Sequence, residues 1–245
     1  MKNQKKSNIK RNCFLFAAVL LFSALVTVCI FYVNHKRAFS VSPLTQSMID
    51  ELDLKDASKL MIVAHPDDET IWGGAHLLDR GYLVVCLTDG YNKKRASEFN
   101  EAVKASGNTP LILDYPDKVN FKRADWSEIT DDIEADIELI MSAKHWDIAV
   151  THNPKGEYGH IHHKKTNAIT VNAFNKTKGA DKLYFFGDYY KASDIGSAAE
   201  KLTPISQSEL EQKKKLCDIY RSQKRVMKKL SHMFPYENWK EYGQQ

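Results

Sequence analysis

Cys13 to Val33 is a run of 21 residues without a charged side chain. In hydrocarbon every backbone amide must be bonded within the segment, so a single run of this kind can only be a helix there. At 1.5 Å per residue it would reach about 31 Å, close to the hydrocarbon thickness of a bilayer. A secretory signal has a shorter apolar core, roughly 7–15 residues, ending at a small-residue cleavage site. Here the run passes straight into Asn34-His35-Lys36-Arg37, with no small-x-small site directly after it. The expectation is an uncleaved transmembrane anchor over 13–33, with a cleaved signal peptide as the alternative. Lys2, Lys5, Lys6, Lys10 and Arg11 precede the run and Lys36 and Arg37 come after it. The excess of cations on the N-terminal side predicts a basic cytoplasmic tail at 1–12, a single-pass cell-membrane protein and an extracytoplasmic globular part.

The charge balance of that globular part argues against nucleic acid as a partner. The chain has 35 Lys and Arg against 31 Asp and Glu, but seven of the cations lie in residues 1–37, where there is no acid. The remainder is slightly acidic and has no overall footprint for a polyanion. The four cysteines are too few for a disulfide scaffold, and none has metal-site spacing. Cys13, Cys29, Cys86 and Cys217 are expected to be buried structural thiols.

Residues 34–57 read as a stalk. From 58 to 245, short apolar runs alternate with longer amphipathic stretches. Strands are predicted over 59–64, 82–87, 111–113, 147–151 and 182–186. Helices are predicted over 70–80, closed by Gly81, over 95–106 before Gly107, and over 126–143 with Ile129, Ile133, Ile137 and Ile140 at helical period. Two more are expected over 160–176 and, as one basic C-terminal helix, over 207–230. This alternation predicts an α/β, Rossmann-like fold with a mostly parallel sheet flanked by helices. Ligands of such sheets bind beyond the carboxyl ends of strands, which places the candidate site in the segments just after Ala64, Leu87, Leu113 and Thr151. No glycine-rich phosphate fingerprint is present.

The segment after the first strand is His65-Pro66-Asp67-Asp68-Glu69, and that after the fourth runs from His152 through Glu157-Tyr158-Gly159-His160-Ile161-His162-His163. Two loops at one sheet edge thus hold five of the nine histidines and several carboxylates. Imidazole and carboxylate are ligands for a catalytic divalent metal, which takes three protein ligands and keeps a position for water. His160 and His163 are three apart and share a face on a helix; His162 is expected to point elsewhere. The side chains of Asp67 and Asp68 diverge, so one can bind metal while the other faces the water. The competing reading is that these acids cap the helix beginning near Thr70. His35, His76, His145 and His232 are read as packing or surface residues.

Ala64-His65-Pro66-Asp67-Asp68-Glu69 and Gly159-His160-Ile161-His162-His163 resemble the two signatures of the LmbE/PIG-L family of zinc-dependent N-deacetylases. Leu87-Thr88-Asp89-Gly90, Arg95-x-x-Glu98-x-x-x-Ala102 up to Gly107, Tyr115-Pro116-Asp117 and Tyr220-Arg221-Ser222-Gln223 extend the resemblance over roughly 58–230. It implies His65, Asp68 and His163 as zinc ligands. It implies Asp67 as the general base and His160 as the group that steadies the oxyanion or helps protonate the leaving amine. Arg95 and Tyr158 match positions that touch substrate. His162 stands where the family usually has Asp, which puts the protonation of His160 in question, with Glu157 as a substitute partner. Two His and one carboxylate also suit Fe(II).

The family's substrate is an N-acetylglucosaminyl unit, so the implied partner is an N-acetylated sugar, glycan or glycolipid. The alternatives are a sugar-binding protein of the same fold that has lost turnover, and a metal-dependent amidase for another N-acyl substrate. Trp72, Tyr91, Trp126 and Tyr158 could stack on sugar, although packing is the simpler role for the first three. Lys213, Lys214, Lys215, Lys224, Arg225, Lys228 and Lys229 read as a solvated helix face.

Overall fold

The structure, a computed structural model, describes residues 2–244, and side chains for residues 11, 12 and 14–244. In chain order the elements are α1 (Lys2–Ala38), α2 (Gln46–Asp50), β1 (Lys59–Val63), α3 (Asp68–Gly73), β2 (Tyr82–Thr88), α4 (Lys93–Ala105), β3 (Thr109–Tyr115) and the short β4 (Lys118–Val119) and β5 (Lys122–Arg123). Next come α5 (Thr130–Ser142), β6 (Trp146–Thr151), α6 (Ile161–Thr177), β7 (Ala180–Phe185), α7 (Gln207–Ile219), α8 (Lys224–Leu230) and β8 (Lys240–Glu241). They form two compact units: the chain up to Val41 together with Lys118–Ala124, and Ser42–Asp117 together with the chain from Asp125 onward.

The larger unit is a mixed α/β layer built on a six-stranded sheet of order β3-β2-β1-β6-β7-β8. All pairings are parallel except β7 with β8. The strand order reverses between β1 and β6, and such a reversal opens a crevice at the carboxyl ends of those two strands. Ile62 sits in register with Val85 on one side and Thr151 on the other, so the loops leaving β1 and β6 emerge together. The central strands are covered on both faces, which is why β1 and β2 are near-continuous apolar runs: Leu60–Val63 and Leu83–Cys86 are fully buried.

Four local expectations are corrected. The helix expected over 70–80 begins earlier, at Asp68, and stops at Gly73, with a single 3₁₀ turn (His76–Asp79) after it. The break comes at the Gly73-Gly74 pair, where a Cβ on Gly73 would stand 2.8 Å from the Met61 Cε and one on Gly74 2.9 Å from Lys213 Cγ. The helix expected over 207–230 is broken at Tyr220, whose ψ of 61° leaves the helical region as its side chain is drawn into the core. Lys213 is not on a solvated face: it is fully buried, its Nζ 2.6 Å from the buried Glu237 Oε1. The stretch expected as a stalk divides: α1 continues to Ala38, whereas Leu44 and Ile49 are buried in the larger unit, where Leu44 N donates to Asp136 Oδ1 at 2.9 Å.

Of the cysteines, Cys86 and Cys217 are buried but Cys29 is exposed, because it lies on the bare surface of α1. The Cys13 side chain lies outside the described residues.

In the smaller unit, the stretch Phe14–Ala38 of α1 is long and apolar enough to cross a membrane, and its apolar side chains are exposed all round. A membrane span and a signal sequence both have this character. The antiparallel hairpin β4–β5 pairs Lys118 with Arg123 and Val119 with Lys122. It turns through Asn120 and Phe121, both at positive φ, the pattern of a two-residue hairpin turn. The Asn120 side-chain amide donates to Phe31 O at 2.9 Å, and Asn34 Nδ2 donates to Asn120 Oδ1 at 3.5 Å.

Candidate metal centre

The loop after β1 is held by its own short-range hydrogen bonds. His65 N donates to Asp68 Oδ2 at 2.9 Å, and Thr88 Oγ1 on the neighbouring strand donates to Ala64 O at 2.8 Å. Asp67 occupies the N-cap position of α3 but its side chain caps nothing, so capping does not account for it. Its backbone sits at φ 121°, ψ −25°, a region that costs a non-glycine residue on the order of 1–3 kcal/mol. The surroundings hold it there. Asp67 N donates to Glu69 Oε2 at 3.1 Å, and the other oxygen of that fully buried carboxylate accepts from Thr70 Oγ1 and from the Tyr220 hydroxyl. Burial pushes the Asp67 carboxyl well above the ordinary range, with Arg95 opposing the shift.

The loop after β6 folds back through left-handed turns at Gly156, Glu157 and Gly159. Asn153 fixes Glu157 from both sides, its N–H donating to Oε1 at 2.9 Å and its Oδ1 accepting from Glu157 N at 3.1 Å. Glu157 Oε2 then lies 3.0 Å from His152 Nδ1 and 2.5 Å from His163 Nδ1. His160 is not inside a helix as expected; it is the N-cap of α6, its Nδ1 accepting the His162 N–H at 3.2 Å, which leaves its ring proton on Nε2. Its ring centroid is still only 4.4 Å from that of His163.

The two loops bring three donor atoms together. His65 Nδ1 is 3.0 Å from Asp68 Oδ2, His163 Nε2 is 3.3 Å from His65 Nδ1, and His163 Nε2 is 3.3 Å from Asp68 Oδ2. All three residues are buried. Donors about 2.0–2.2 Å from one tetrahedral ion lie roughly 3.3–3.6 Å apart, so this triangle fits a small divalent cation with a fourth direction left over. The far nitrogens are also tied down. His163 Nδ1 faces Glu157, and His65 Nε2 lies 3.3 Å from Asp117 Oδ1 and 3.2 Å from His162 Nδ1. A carboxylate behind a ligating imidazole fixes its tautomer and raises its basicity. The local field favours positive charge: burial alone would lower the His163 pKa, but Asp68 and Glu157 push it up to about 10. Burial likewise opposes ionisation of Asp68, yet His163 and His152 hold its carboxyl well below the ordinary range. A field that binds a proton so firmly suits a cation.

His152, Glu157 and His163 form a second close group. There, however, Ala64 N–H donates to His152 Nε2 at 3.0 Å, so that lone pair is already used. A third group joins His65, His160 and His162. His162 does not point elsewhere, as its spacing suggests. It is fully buried, stacked on the Trp126 ring at 4.0 Å, and reaches the far side of His65. Glu157, offered as a substitute partner for His160, instead serves His152 and His163.

Arg95 is clamped between acids, with its Nη2 3.6 Å from Asp67 Oδ2 and donating to Pro66 O, and its Nη1 3.1 Å from Asp89 Oδ2. It sets the charge beside Asp67. Tyr158 is 41 % exposed, with its ring 5.6 Å from His163 and 5.9 Å from Tyr189. Trp72 and Trp126 are buried packing, and Tyr91 is exposed. Asp89, Asp117 and His152 lie within the quoted motifs and segments, but the sequence alone gives them no role at the site. Asp89 and His152 directly follow β2 and β6, and Asp117 comes two residues after β3, so their position at strand ends is the signal that points to them.

Three comparisons bear on this arrangement. Residues 60–174 match the PIG-L family, described as GlcNAc-PI de-N-acetylase. Uncharacterized protein L374 of Acanthamoeba polyphaga mimivirus is 29 % identical over 190 residues, covering 71 % of this chain and 75 % of that one. Among solved structures, the A40926 pseudoaglycone deacetylase Dbv21 superposes with a TM-score of 0.54 at 17 % identity, over 71 % of this chain and 85 % of its own. A deacetylase of teicoplanin biosynthesis gives 0.54 and 17 %, over 69 % and 86 %. GalB, a 4-carboxy-2-hydroxymuconate hydratase from Pseudomonas putida, gives 0.50 and 16 %, over 72 % and 84 %. At such identities the likeness establishes the fold. A hydratase and two deacetylases share it, so the chemistry has to be argued from the site.

Proposed function

Because residues 60–174 match the PIG-L family, we propose that this chain is a metal-dependent hydrolase that removes the N-acetyl group from an N-acetylglucosaminyl-type sugar. The observation that carries the reading is the triangle of His65 Nδ1, Asp68 Oδ2 and His163 Nε2 at 3.0–3.3 Å, with Asp67 unbonded to the helix beside it. Zn²⁺ is the natural occupant, with Fe²⁺ the alternative for two imidazoles and a carboxylate. When bound, the cation supplies Lewis acidity: it lets a water ionise near neutral pH and draws electron density from the amide carbonyl.

The protein's own groups do the rest. The Asp67 carboxylate, its affinity for a proton raised by burial, accepts the proton of the attacking water. Arg95 keeps that carboxylate oriented and compensates its charge. His160, whose ring lies 4.4 Å from that of His163 and 4.6 Å from that of His65, is the group that donates to the amide oxygen as charge builds there or to the departing nitrogen. Glu157 and Asp117 hold the rings of His163 and His65 at their distal nitrogens. Tyr158, 41 % exposed beside His163, is the residue assigned to touch the sugar. In this reading residues 13–33 anchor the chain in the cell membrane, with residues 1–12 cytoplasmic and the domain at 58–245 outside.

The test is metal analysis of the purified full chain together with acetate release from a panel of N-acetylated glycans and glycolipids, including GlcNAc-phosphatidylinositol. About one equivalent of metal and acetate from at least one sugar are expected, with turnover abolished by chelation. A metal-loaded protein that releases no acetate from any of them overturns the hydrolase reading in favour of sugar binding.

A further inference from the structure

The β4–β5 hairpin presents a large apolar side chain where folding gives no reason for one. Phe121 is 96 % exposed and sits at φ 66°, next to Asn120 at φ 50°. Glycine, asparagine or aspartate is the ordinary occupant of such turn positions, so a phenylalanine here costs backbone strain and buries almost nothing. Lys118 and Lys122 flank it, both exposed, and Arg123 completes the short ladder.

The position of the hairpin on α1 supplies the second observation. The two hydrogen bonds of Asn120 fasten the turn to α1 at Phe31 and Asn34. That is where the uncharged run ends and Asn34-His35-Lys36-Arg37 begins. If α1 crosses a bilayer, this level is the headgroup boundary. Aromatic rings and snorkelling lysines are favoured there, and cations near an anionic leaflet are drawn to it.

We propose that the β4–β5 hairpin docks on the same bilayer that α1 crosses, with Phe121 entering the headgroup–acyl boundary and Lys118 and Lys122 meeting the phosphates of anionic lipid. The inference rests on the reading of residues 13–33 as an anchor. It assigns the hairpin a role that neither the fold nor the metal centre requires.

The test uses the full chain in phosphatidylcholine vesicles with and without phosphatidylglycerol. Benzoylphenylalanine, a photo-crosslinking side chain, replaces Phe121 in one sample and Phe22, in the middle of α1, in another. Phospholipid adducts at both positions are expected. The yield at 121 should fall several-fold when phosphatidylglycerol is omitted or when Lys118→Gln and Lys122→Gln are combined, while the yield at 22 stays constant. Adducts at 22 with none at 121, or an adduct at 121 to protein, overturn the hairpin proposal and leave the anchor standing. The absence of adducts at 22 overturns the anchor reading and the hairpin proposal with it.

Discussion

His163 is gripped from its outer edge: its Nδ1 lies 2.5 Å from Glu157 Oε2, while Nε2 on the other side of the ring faces Asp68 Oδ2 at 3.3 Å. The same Glu157 oxygen lies 3.0 Å from His152 Nδ1, so one buried carboxylate sets the tautomers of two stacked imidazoles. Glu157→Gln keeps the shape but removes the charge. Metal affinity is expected to fall about 10–100-fold, measured by competition with a chelator of known affinity. Unchanged affinity would mean that Glu157 supports the loop alone.

Asp67 separates binding from turnover. Its carboxylate is outside the donor triangle, so Asp67→Asn should retain stoichiometric metal and lose about 10²–10⁴ in turnover, the usual worth of a positioned proton acceptor. Because φ at this position is 121°, Asp67→Gly should relax the backbone and hold or raise the melting temperature although activity is lost. Wild-type acetate release by Asp67→Asn removes this residue as the base.

The strained turn has a specific support in Tyr220. Its hydroxyl donates to Glu69 Oε1, and Glu69 Oε2 accepts the Asp67 N–H. Tyr220→Phe keeps the ring and deletes the donor to a buried carboxylate, which should cost about 1–3 kcal/mol of stability. The informative readout is kinetic. Turnover should fall while KM and metal content hold, because the placement of Asp67 is the thing that loosens. A loss confined to stability would make Tyr220 a packing residue.

The mostly parallel sheet and both site loops could be read from the chain because they depend on local signals. Apolar runs that end abruptly at His65 and His152 mark strand ends, and parallel pairing brings such ends together. The features that escape such a reading depend on contacts between distant residues. Nothing in the neighbourhood of Tyr220 announces that Glu69, 151 positions away, will break its helix. The burial of Lys213 is owed to Glu237, and the inward turn of His162 to its stack on Trp126. The β4–β5 hairpin has only two residues per strand, too few for an alternating pattern to register.

A buried acid remote from the metal centre gives a pH test with a defined sign. Glu237 accepts from Ala75 N at 2.8 Å, His76 N at 3.1 Å and Lys213 Nζ at 2.6 Å, and its Oε2 lies 2.7 Å from His76 Nδ1. Burial alone would raise its pKa, but Lys213, His76 and the backbone donor outweigh it and hold the carboxyl down to about 2, against 4.5 for the free side chain. A folded pKa below the unfolded one gives stability that is complete above about pH 5 and is lost as pH falls toward 2. The full difference corresponds to roughly 3 kcal/mol. Denaturant midpoints of the detergent-solubilised chain should therefore drop through this window, and Glu237→Gln should flatten the drop. The variant is also expected to be less stable at neutral pH, because it leaves the Lys213 charge buried without its counter-ion. Parallel pH profiles for the two proteins would show that Glu237 does not carry this acid sensitivity.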